Sequence, residues 1–156
     1  MEKRRVKIGY CPTRRFVFSK EDAHKYKDMT LEKIKSFGAE IVDISDMNEE
    51  GLLYDDIFQV EAIAKKFIDA EVDAVFFPHC NFGTDDTVSK VAKRVGKPVL
   101  LWGPRDESPL PDGSRLRDSQ CGLFATGKVL RRFNVPYTYI INSRLDDAVF
   151  ERGFIN

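Results

Sequence analysis

The chain lacks most of what would mark a membrane, nucleic-acid, disulfide or zinc protein. No apolar run approaches the roughly 20 residues that a membrane-spanning helix needs. The N-terminus, Met1-Glu2-Lys3-Arg4-Arg5, leads straight into a strand pattern with no apolar signal region. Charge of one sign is missing as well: 25 Lys and Arg balance 25 Asp and Glu. That balance argues against a nucleic-acid or membrane partner recognised by overall charge. Three cysteines, an odd number without C-x-x-C spacing, argue against a disulfide framework or a structural zinc site. Free thiols fit a reducing, cytoplasmic setting. Two histidines leave little for a histidine-based metal site. Gly83, Gly103, Gly122 and Gly127 form neither G-x-G-x-x-G nor G-x-x-x-x-G-K-[ST], so dinucleotide and P-loop readings lack support.

What remains is the composition of one soluble globular domain. At 156 residues, 42% hydrophobic and 32% charged, the chain is long enough to bury most of its apolar surface. The stretch from Asp73 to Arg105 is the most informative. The apolar run Ala74-Val75-Phe76-Phe77 stops at Pro78 and opens into His79-Cys80-Asn81-Phe82-Gly83. Thr84 stands where a helix N-cap is wanted, with Asp85 and Asp86 in the first turn, where the helix dipole favours carboxylates. Val88, Val91, Ala92 and Val95 give a helical stripe, Gly96 stops it, and Pro98–Trp102 starts another strand. Upstream, Val6–Cys11 reads as a strand ended by Pro12. Ser19-Lys20-Glu21-Asp22 resembles a capping box for a helix with Ala23, Tyr26, Thr30, Ile34 and Phe37 inward. Ile41–Ile44 is a strand, and Ile57, Val60, Ala64 and Phe67 mark a helix. A turn-rich loop, roughly 103–117, precedes a helix through Leu123, Gly127, Leu130 and Phe133, then a strand over Tyr137–Ile141.

Strands alternating with helices predict an α/β fold: a three-layer, flavodoxin-like, five-stranded parallel sheet in the order 2-1-3-4-5. The topological switch point then lies between strands one and three, flanked by the loops Pro12–Ser19 and His79–Gly83, where ligands of open α/β sheets bind. Ser143–Asn156 begins a helical pattern and ends without a strand or clear cap. Residues 1–156 are therefore expected to form a single domain cut from a longer chain.

Arg14 and Arg15 sit in the first of these loops. Their guanidiniums either hold a ligand's hydroxyls, carboxylate or phosphate, or pair with nearby Asp or Glu. His79-Cys80-Asn81 invites a Cys–His nucleophile reading. Adjacent side chains rarely face each other, however, and no third group is evident to orient the histidine, so a polar loop lining a pocket is the better expectation. His24 reads as solvated surface. Asp118-Ser119 opens a helix whose N-terminus could accept an anion, although capping explains the same residues. Asp85, Asp86, Asp106 and Glu107 cluster near these loops without a histidine at metal-ligand spacing. Arg14, Arg15, His79, Cys80 and Asn81 are thus the expected substrate-binding residues, with no catalytic residue and no metal ligand or cofactor assigned to this chain.

Four segments together resemble the N-terminal domain of the L-fucose isomerase-like proteins, which include L-arabinose isomerase. They are Ile8-Gly9-Tyr10 with Arg14-Arg15, Pro78-His79-Cys80-Asn81-Phe82-Gly83, Leu101-Trp102-Gly103, and Val135-Pro136-Tyr137. The resemblance implies an aldose–ketose isomerase using a divalent metal, usually manganese (Mn2+), held by Glu, Asp and His in domains beyond residue 156. It also implies a homo-oligomer, in which this domain contacts the sugar substrate and reaches an active site built mainly by a neighbouring subunit. Arg14 or Arg15 matches the family's substrate-contacting arginine. The family's aromatic contact falls on Cys80 or nearby, a departure that points away from fucose itself. Two other classes compete: a non-enzymatic small-molecule-binding or regulatory module of the same fold, and a complete small enzyme using Cys80 or the acidic loops.

Overall fold

A computed structural model describes residues 5–156, so the expected lead of Met1–Arg4 into the first strand lies outside the described residues. Five strands, β1 (Lys7–Tyr10), β2 (Glu40–Val42), β3 (Ala74–Pro78), β4 (Val99–Pro104) and β5 (Thr138–Ser143), form one sheet in the order β2-β1-β3-β4-β5. Every pairing is parallel, as alternation with helices requires. The helices are α1 (Lys20–Lys35), α2 (Ile57–Asp69), α3 (Asp85–Val95), α4 (Ser119–Arg132) and α5 (Ala148–Ile155).

Period-two alternation along the strands splits the core into two layers. Val75, Phe77 and Leu101 face α2, α3 and α4, where they meet Phe67, Val88, Val91 and Leu123. Phe76, Trp102 and Ile140 face α1 and α5, where they meet Ile34 and Phe150. Trp102 and Phe150 have ring centroids 4.4 Å apart, which seats the last helix on the sheet. Burial of such rings supplies the largest apolar areas in the domain. Among the described residues no helix is long and apolar enough to cross a membrane.

Local signals set most boundaries. The Ser19 hydroxyl accepts from the Asp22 amide at 3.1 Å, capping α1. Gly96, at φ 65°, closes α3 in the left-handed conformation that glycine adopts cheaply. Several details differ from the sequence reading, among them the second strand, which runs Glu40–Val42 rather than Ile41–Ile44. Pro78 and Pro104 are the last residues of their strands rather than the breaks before loops, because a strand terminus loses only one ladder donor to proline. Ile57, expected in the buried stripe of α2, is 49% exposed because it opens the helix at the rim of the sheet. Thr84 occupies the N-cap position of α3, but its hydroxyl makes no cap bond and turns to Thr13 and Thr87 instead.

Candidate functional site

All carboxyl ends of a parallel sheet open on one side, and here that side is built around Thr13. Past the end of β1, Thr13 pairs with both Leu53 and His79, extending the sheet by one rung into the loops. Its amide donates to the Pro78 carbonyl at 3.0 Å, and the Cys80 amide donates back to its carbonyl at 2.9 Å. Gly83, at φ 86°, lets the β3 loop turn tightly, since a Cβ there would lie 2.7 Å from the His79 ring and the Thr13 methyl. Gly122 lets α4 press against the same loop, since a Cβ there would lie 1.6 Å from the Phe82 carbonyl oxygen.

The five residues singled out from sequence converge on this edge with different exposures. Arg14 is buried, its side chain 4% exposed, and its Nε and Nη2 donate to the two Glu50 carboxylate oxygens at 2.6 and 2.9 Å. The Arg14 hydrogen bond, with Lys20 adding a second, holds the Glu50 carboxyl down at about 2. Arg15 is more open, its side chain 36% exposed. One nitrogen donates to Asp85 at 2.7 Å, and the guanidinium lies 4.6 Å over the Phe82 ring.

The three loop residues are internal. His79 is buried, with Nδ1 3.2 Å from the Phe77 carbonyl and Nε2 2.8 Å from the Thr126 hydroxyl. A carbonyl only accepts, so Nδ1 is assigned the proton and Nε2 accepts from Thr126. Burial pushes the imidazole down to about 4, which keeps it neutral. Cys80 is buried, and burial raises its thiol to about 12, far from the thiolate a nucleophile requires. Asn81 is also buried. Its side-chain oxygen accepts from the Arg15 and Phe82 amides, and its nitrogen donates to the Arg15 and Ser19 carbonyls, all between 2.6 and 3.1 Å. Asn81 therefore clamps the β1 loop to the β3 loop. His79, Cys80 and Asn81 shape the site from beneath while Arg15 reaches its surface.

Aromatic rings complete the exposed part. Phe82 stacks on Phe18 at 5.3 Å with the planes 9° apart, and Phe16 packs on Tyr54 at 5.2 Å beside Arg14. Sequence reading named Phe82 within its motif but passed over Phe16, Phe18 and Tyr54, although the Phe-Val-Phe run after Arg14-Arg15 in a loop was a visible signal. It also passed over Arg117, which is buried against the ring of Tyr26 at 3.7 Å. Arg117 donates to Glu107 at 2.9 Å, to the Arg105 carbonyl at 2.7 Å and to the Cys80 carbonyl at 3.3 Å. Its partners come from separate loops, so no local pattern announces it. His24 lies 3.7 Å from Glu50. Among the described residues, no group of three His, Cys, Asp or Glu side chains is placed to hold a metal ion.

Strand order and loop chemistry define the class: a flavodoxin-like α/β domain whose polar and aromatic side chains gather on the carboxyl edge of the sheet. Within that class, the chain belongs to the fucose/sulfoquinovose isomerase N-terminal domain family, whose model matches residues 9–154. A search of curated proteins finds no match. Among solved structures it is similar to an ABC transporter solute-binding protein from Bacillus halodurans C-125 with bound myo-inositol. The identity is 12% and the TM-score 0.38, over 87% of this chain and 57% of the other. This chain thus spans little more than half the length of that protein.

Proposed function

We propose that this domain supplies sugar contacts to an aldose–ketose isomerase, with Arg15 as the contacting cation. One observation carries the reading. Of the two adjacent arginines, Arg15 alone is open at the carboxyl edge, and it is laid on an aromatic face. A guanidinium offers several donors in a fixed fork, suited to neighbouring hydroxyl oxygens on a polyol. Phe82, held flat by Phe18, carries the Arg15 guanidinium over its ring and so fixes where that cation sits. Arg14, saturated by Glu50, instead fixes the loop from which Arg15 projects.

The family resemblance implies a divalent metal, and among the described residues the donor set does not fit one. His79 spends both ring nitrogens inside the fold, and His24 lies beside a carboxylate already engaged by Arg14 and Lys20. No chemical step is therefore assigned to these residues. On this reading the metal and the proton transfers belong to other residues of a longer, homo-oligomeric protein. The three free cysteines of this domain fit a cytoplasmic setting. Hydrogen exchange on the full-length isomerase, with and without its sugar, tests the contact. Protection of amides in 14–16 and 81–85 on sugar addition is expected; exchange in both segments indifferent to sugar contradicts the assignment.

A further inference from the structure

A second concavity lies on the same edge of the sheet but on the α1 side, away from Arg14, Arg15 and Phe82. It is a cleft of about 440 Å³ between α1, the loop after β4 and the loop after β5. That volume falls in the range of about 300–1,000 Å³ typical of small-molecule sites. Its floor is Tyr26, Met29, Pro104 and Leu145.

The charges around this floor are unequal. Lys33, Arg105 and Arg144 line the cleft, and among the described residues none of the three makes an ion pair. Two of the three carboxylates lining it are already answered from behind. Glu107 accepts from Arg117 at 2.9 Å and from the Tyr26 hydroxyl at 2.9 Å. Asp106 accepts the Ser119 and Gln120 amides at the start of α4 and stands 3.6 Å from Arg117. Counting Arg117, four cations face the three carboxylates Asp106, Glu107 and Asp146, which leaves one net positive charge at the cleft. The wall is also rigid, because Arg117 is buried between the Tyr26 ring and two loop carbonyls. Fixed walls with unneutralised guanidiniums at the mouth form a receptor for negative charge, since arginine pairs bidentately with carboxylate, sulfonate and phosphate groups.

We infer that this cleft binds a small organic anion, its acidic group held by Arg105, Arg144 and Lys33 and its body laid on Tyr26 and Leu145. The site is separate from the Arg15 surface and does not depend on the isomerase reading. Its test is a two-dimensional NMR titration of the protein in phosphate-free buffer with three probes: inorganic phosphate, glucuronate and neutral glucose. Saturable shifts of the Arg105, Arg144 and Tyr26 amides are expected with the two anions and not with glucose. Tighter saturation by glucuronate assigns the anion to a carboxylate-bearing body, and tighter saturation by phosphate assigns it to a phosphate ester. Both partner cations lie on exposed loops, so Arg105→Ala and Arg144→Ala leave the fold intact, checked by unchanged unfolding midpoints. Each is expected to weaken anion binding about tenfold or more. Non-saturating shifts, equal shifts with glucose, or wild-type affinity in the double variant would overturn the inference. None of these outcomes bears on whether Arg15 contacts sugar.

Discussion

At the scale of the residue, Arg14 and Arg15 show how little a side chain's identity says about its role. Arg14 is desolvated and paired through two nitrogens, so removing it leaves the half-buried Glu50 carboxylate with Lys20 as its remaining cation. Arg14→Ala is expected to cost about 1–3 kcal/mol, measured by denaturant unfolding. Arg15→Ala breaks a half-exposed pair and should cost less than about 1 kcal/mol in the same assay. The sequence placed both in the right loop; it could not say which one Glu50, 36 residues away, would claim. His79 gives a pH signature. Its native pKa lies near 4, below the ordinary 6.5, so the native state binds fewer protons than the unfolded state between those values. Stability is therefore full above pH 6.5 and falls as the pH drops through that window. Between pH 6.5 and 5, above most carboxylate titration, the unfolding free energy of the wild type should decline. His79→Gln should flatten that decline, and an unchanged slope would remove His79 as its source.

At the scale of the element, periodicity was enough to place helices and strands but not their long-range caps. The stripes of α3 and α4 are buried where the i, i+3, i+4 spacing put them, because helices on a sheet bury one face. Asp118 occupies the N-cap position of α4 without a side-chain cap bond; the carboxylate that receives the first amides is Asp106, from the preceding loop. No local motif encodes a cap brought from 12 residues upstream. Asp106→Ala should therefore destabilise the domain by about 1 kcal/mol, while Asp118→Ala should cost little, and thermal unfolding of both variants decides between them. Gly122 makes a sharper case. A methyl group there collides with the Phe82 carbonyl, so Gly122→Ala must push α4 off the β3 loop. A loss of about 2 kcal/mol or more is expected, with altered amide shifts at Phe82, although alanine favours helices elsewhere.

At the scale of the whole molecule, alternating strands and helices dictated parallel pairing, and handedness left the order 2-1-3-4-5 as the natural one, which the sheet has. That order brings the β1 and β3 loops together, so their meeting was legible even where their packing was not. Burial was what the sequence concealed: His79, Cys80 and Asn81 read as a polar loop lining a pocket in one dimension and are fully buried in three. Their environment also bears on the expected metal. Manganese titrated into this domain and followed by electron paramagnetic resonance should show no saturable site, and a stoichiometric site would require ligands that the described residues do not bring together.

The most direct test of the sugar-contact account is kinetic, made on the full-length protein that the account takes to be an isomerase. Arg15→Ala should lower kcat/KM about ten- to a hundredfold, the loss of a charged donor to bound substrate, while manganese affinity and the unfolding midpoint stay near wild type. An unchanged kcat/KM in Arg15→Ala would contradict the account and leave Arg15 as a surface partner of Asp85.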